Sequence, residues 1–63
     1  MAMENDTSEA MKYVKSLNDA SKRHFAIGYL AWVRNGREGN MPDQGPLSQL
    51  TARTVARTID RLA

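Results

Sequence analysis

Residues 25–33, reading Phe25, Ala26, Ile27, Gly28, Tyr29, Leu30, Ala31, Trp32 and Val33, carry no charge at all. How this run is covered decides the fold. On a helix Phe25, Tyr29 and Trp32 fall within an arc of roughly 60°. Ala26, Leu30 and Val33 form a second stripe beside them, and Ile27 and Ala31 cover much of the remaining side. Only Gly28 and the neighbourhood of His24 leave a gap. A helix that is apolar nearly all round has to be buried on more than one side. Two other short helices cannot easily cover it within one chain. A second copy of the same helix can, with Gly28 or Ala31 permitting close backbone approach. The run therefore predicts an all-α fold with two or three helices per chain, paired into an intertwined homodimeric helical bundle. The expected dimer interface is Phe25, Ile27, Gly28, Tyr29, Leu30, Ala31, Trp32 and Val33, joined by Val55, Ile59 and Leu62.

The size of the chain points the same way. Its 63 residues make one helical domain, 1–63. A chain this short buries only about 60% of its unfolded surface. Small folds are usually reinforced by disulfides, a metal or a partner chain. Cysteine is absent, which excludes disulfides and thiolate metal sites. The one histidine, His24, cannot make a zinc site without several carboxylates beside it. No cofactor, metal or catalytic residue is expected. No run of about 18 apolar residues is present to span a membrane. The polar, acidic start from Met1 to Thr7 is unlike a secretory signal, so a cytoplasmic location is expected.

Around the apolar run, residues 1–5 are expected to be loose. Asp6 and Glu9 have the spacing of a capping box, which predicts a first helix over Thr7–Asn18 with Met11, Val14 and Leu17 on its apolar edge. Asn18, Asp19 and Ser21 favour caps over helix interiors. They favour a break before the second helix over one continuous helix to Asn35. Asn35-Gly36 is a stop signal, because either residue tolerates the left-handed conformation that follows a last turn. A polar loop, 36–46, holds Gly39, Pro42, Gly45 and Pro46, and its Met41 is expected to tuck onto the core. The last helix starts near Pro46 to Ser48, with Ser48 as cap. Its Ala52, Val55, Ile59 and Leu62 span an arc of roughly 80°.

Charge is unevenly spread over a net +2. Arg53, Arg57 and Arg61 recur every four residues opposite the apolar edge of the last helix. Guanidinium groups fork onto carboxylates and phosphates, so this row is a candidate contact for an acidic protein surface or for nucleic acid. A solvated helix face explains it equally simply. The loop Arg34-Asn35-Gly36-Arg37-Glu38-Gly39-Asn40 lacks the strand, lysine and spacing of a phosphate loop. It reads as cap and turn, with Arg34 and Arg37 as further partner contacts. The segment Thr54-Val55-Ala56-Arg57-Thr58-Ile59-Asp60-Arg61-Leu62 resembles a DNA-recognition helix. However, a helix-turn-helix joins its helices by about 3–4 residues, fewer than this loop holds. A small dimeric DNA-binding regulator using Arg53, Arg57 and Arg61 is therefore the alternative reading.

Residues 23–36, Arg23-His24-Phe25-Ala26-Ile27-Gly28-Tyr29-Leu30-Ala31-Trp32-Val33-Arg34-Asn35-Gly36, with the small size and the proline-containing loop before a last helix, resemble the phage-encoded quorum-sensing anti-activators. These are small helical homodimers made by phages of Pseudomonas. The resemblance implies a non-enzymatic inhibitor in the host cytoplasm that binds and occludes a LuxR-type transcription factor at its DNA-binding domain. It also allows a type IV pilus assembly ATPase as a target. No binding residue carries over by position. An inhibitor seated on a basic DNA-binding surface would present acid, which directs attention to Glu4, Asp6, Glu9 or the loop rather than to the arginines.

Overall fold

A computed structural model describes residues 7–63 and consists of three helices: α1 (Ser8–Ser16), α2 (Ala20–Arg34) and α3 (Gln49–Leu62). The all-α expectation holds, with three helices rather than two. Each helix touches both of the others. The segment expected to be loose, 1–5, and Asp6 of the expected capping box lie outside the described residues.

α1 is shorter than expected. It stops at Ser16, whose Oγ donates to the Tyr13 carbonyl at 2.7 Å. Leu17 turns extended (φ −72°, ψ 125°), and the break between the first two helices is real. Asp19 opens α2: its Oδ1 accepts from the backbone N–H groups of Ser21 (2.8 Å) and Lys22 (3.1 Å). A side-chain cap of this kind contributes about 1 kcal/mol. Arg23 reaches back across the corner and donates to the Leu17 carbonyl at 2.6 Å. At the other end Gly36 takes φ +80°. Its N–H bonds the Val33 carbonyl at 3.1 Å, and the Arg37 N–H bonds the Trp32 carbonyl at 2.9 Å. These two bonds close a Schellman motif, in which Gly36 and not Asn35 supplies the left-handed residue. Ser48 caps α3 as expected, accepting from the Thr51 N–H at 3.1 Å.

The core is Ala10 and Val14 from α1, Phe25, Ala26, Tyr29, Leu30 and Val33 from α2, and Ala52, Val55 and Ile59 from α3. Leu17, Trp32 and Leu62 pack against it, partly buried. The apolar edge of α3 is as the spacing predicted, whereas α1 centres on Ala10 and Val14, with Met11, Tyr13 and Leu17 around them.

Five of the nine residues in the charge-free run are buried within the chain. One chain covers most of it, because the connector 35–48 acts as a third wall. Pro42 lies over Gly28, its Cβ and Cγ each 3.5 Å from where a Cβ at that position would stand. Trp32 Nε1 donates to the Gly39 carbonyl at 3.3 Å. The close approach expected of a second helix at Gly28 is made by this loop instead. Met41, expected on the core, is 55% exposed. Of the run itself, Ile27 and Ala31 face outward.

Candidate protein-binding surface

Six of the residues expected to form a dimer interface, Phe25, Tyr29, Leu30, Val33, Val55 and Ile59, are buried within the chain's own core. Trp32 and Leu62 are half-buried and Gly28 lies under the loop. What α2 presents to solvent is the row Ala20, His24, Ile27, Ala31 and Arg34. Its one bulky apolar member, Ile27, is 55% exposed.

Arg37, expected to reach a partner, is occupied. Its Nη2 donates to Asp60 Oδ1 at 2.8 Å and its Nη1 to the Tyr29 hydroxyl at 3.2 Å. The Tyr29 hydroxyl donates in turn to the same Asp60 oxygen at 2.8 Å. The guanidinium carbon stands 5.3 Å from the Trp32 ring centroid, within cation–π range. The cluster therefore ties the loop, α2 and α3 together at one end of the bundle. Burial raises the Tyr29 phenol above its ordinary value; the bond from Arg37 opposes this and Asp60 adds to it. Asp60 and Tyr29 hold Arg37 further in its charged form. Arg37 does this from φ +59°, the left-handed region that residues with a Cβ seldom enter. Its side chain is therefore fixed to the fold from a strained backbone position. Sequence reading could not pair Arg37 with Asp60, because no local spacing joins residues 23 apart.

Arg53, Arg57 and Arg61 all lie exposed on the outer side of α3. Among the described residues none of the three is in an ion pair. Leu50, 73% exposed, precedes Arg53 by three positions and Arg57 by seven, which puts it in the same row. Thr54 stands in that row too, its hydroxyl donating to the Leu50 carbonyl at 3.0 Å. Leu50 was missed in the sequence: the four-residue spacing of the arginines carried one turn back reaches Gln49, and only the i+3 and i+7 relation to Arg53 and Arg57 places Leu50 beside them. Arg34 is exposed at the end of α2, beside Ala31 and Asn35. Glu9 stands exposed on the first turn of α1, 3.8 Å from Lys12, and no described ion pair joins it to an arginine.

Beside the arginine row lies a groove of about 250 Å³, floored by Phe25, Ala52 and Ala56 and edged by Met41, Pro42, Gln44, Gln49 and Arg53. Among the described residues no cluster of His, Cys, Asp or Glu gathers as metal ligands would, and no helix is long and apolar enough to cross a membrane. Comparison with protein families, curated proteins and solved structures finds no match to this chain.

Proposed function

We propose that the protein is a non-enzymatic binding module that presses the outer face of α3 onto another protein and blocks the surface it covers. One observation carries this reading. Leu50, Arg53, Arg57 and Arg61 share a face that the fold does not use, since the opposite side of α3 supplies the core. Cations four residues apart repel mildly along a helix, and an exposed leucine gains nothing from water. Among the described residues the row joins no ion pair, which a partner would supply, and arginine is among the residues enriched at interfaces.

The resemblance of residues 23–36 makes a LuxR-type transcription factor in a host cytoplasm the first partner to try, and a pilus assembly ATPase the second. The arginine face suits an acidic patch on such a protein. A basic DNA-binding surface would be met instead by another side of the molecule, such as the one bearing Glu9. The homodimer is a separate proposition. The row Ala20, His24, Ile27, Ala31, Arg34 is what α2 leaves for it, and the reading of α3 holds for one chain or two. Light scattering decides, by whether the particle weighs 7.1 kDa or twice that.

A nucleic-acid reading is favoured by the three arginines in one row with Thr54. Against it, the connector between α2 and α3 runs over residues 35–48, far from the short turn of a helix-turn-helix. Affinity capture from cell lysate with wild type and with Arg53, Arg57 and Arg61 all changed to alanine tests the main reading, together with a gel shift at two salt concentrations. The expected result is a protein captured by wild type and lost by the variant, with no DNA shift. A wild-type shift that weakens steeply as salt rises overturns the reading in favour of nucleic acid.

A further inference from the structure

Of the three large apolar side chains that the described fold leaves exposed, Ile27, Met41 and Leu50, the first two stand on either side of Pro42. Met41 edges the groove between α2, the loop and α3. Ile27 lines a second hollow that shares Phe25 and Pro42 with the first. Pro42 thus forms a ridge between this groove and the second hollow, which carries His24 and Asp43 beside its apolar lining. The groove of about 250 Å³ is smaller than the roughly 300–1,000 Å³ of a small-molecule site, so its size suits one inserted side chain rather than a cofactor.

Its charge is one-sided. Arg53 stands at the edge without an ion pair among the described residues, and its side chain neighbours Gln49, the first residue of α3. That first turn holds no acidic residue, so apart from the Ser48 cap no side-chain charge offsets the positive end of the helix dipole at the same edge. No carboxylate lines the groove. An apolar floor beside an unopposed cation and a helix N-terminus is complementary to an apolar side chain with a carboxylate close to it.

We infer that this groove is the anchor of the binding face, receiving a bulky apolar side chain of an acidic partner segment whose neighbouring carboxylate pairs with Arg53. The inference rests on the protein-binding reading of α3 and gives its partner a chemistry: an acidic, amphipathic peptide. Anchors of this kind carry most of the energy of an interface, and charges around them refine it.

The test is methyl-detected NMR titration of the whole protein with short synthetic peptides that carry leucine or phenylalanine next to aspartate or glutamate. Saturable shifts are expected at the Met41, Ala52 and Ala56 methyl groups. Replacing the peptide's acid by lysine, or making Arg53→Ala, is expected to weaken binding about fivefold, the size of a solvent-facing ion pair. Arg53→Glu should reverse the preference, taking the lysine peptide over the acidic one. Ala56→Leu should close the groove; because it sits against the core, the exposed Met41→Asp serves as a second variant that leaves the fold intact. Absence of saturable shifts at these methyls overturns the inference, as does a short DNA duplex that competes for them more tightly than every peptide. If affinity capture depends on Arg57 and Arg61 while Met41→Asp and Ala56→Leu leave it unchanged, the α3 reading survives and the groove does not.

Discussion

α2 and α3 are nearly equal in length and use their surfaces in opposite ways. α2 is the more apolar helix, yet five of the nine residues in its charge-free run are buried by neighbours in the same chain. α3 is the more polar helix, yet it holds the exposed row that the fold leaves unused. Most of the apolar run thus serves packing within the chain, and the exposed cationic row lies on the more polar helix. Composition alone would have ranked the two the other way.

The strongest way to break this contrast is Leu30→Ala. Leu30 is 2% exposed, and a buried leucine cut to alanine costs about 2–5 kcal/mol. A single core in so small a chain rarely supplies more than about 3–5 kcal/mol. Circular dichroism should therefore find the variant largely unfolded, and a chain that melts like wild type would place Leu30 outside the core. Gly36→Ala acts where α2 hands over to its covering loop. An alanine forced to φ +80° should lower stability by about 1 kcal/mol, read from urea unfolding. An unchanged midpoint would mean that the chain leaves α2 by another turn.

Gly28→Ala sharpens the contrast from the other side. The new methyl meets Pro42 at 3.5 Å, an ordinary contact, and the helix interior gains about 0.5–1 kcal/mol from losing a glycine. A stability loss, or a change of mass by light scattering, would show that another backbone needs the space. Tyr29 supplies a pH test. The folded chain holds the phenolic proton more tightly than the unfolded chain. The resulting stability is whole below the ordinary value of 10.0 and is lost as pH rises past that value toward the raised one. Tyr29→Phe should flatten the fall in melting temperature on the alkaline side; an unchanged slope would mean that the phenol is not held in a buried setting. The smallest effect belongs to Arg57→Ala, which should move stability by no more than about 0.5 kcal/mol. A larger loss by thermal melting would make the row structural after all.

The sequence shows a good part of this architecture. Period and caps located the helices, since Ser48, Gly36 and Asp19 act through local bonds that a few neighbouring residues define. The apolar edge of α3 and the outward side of its arginines follow from spacing alone. The covering of α2 does not, because it depends on where the loop folds back. Pro42 reaches Gly28 and Gly39 reaches Trp32 through the path of the intervening chain, not through any periodicity. The cluster of Tyr29, Arg37 and Asp60 was hidden for the same reason. So was the groove, which exists only between three elements brought together. Leu50 is different: its i+3 and i+7 relation to Arg53 and Arg57 was visible, but a row followed in steps of four passes it by.

Pro42 resting over Gly28 makes the connector a shutter on α2. Anyone who trims residues 37–44 to obtain a tidier helical hairpin would lift that shutter and bare the underlying glycine and indole. The shortened chain would then have an apolar flank of its own making, and clumping or pairing seen in such a product would carry no information on the assembly of the full chain.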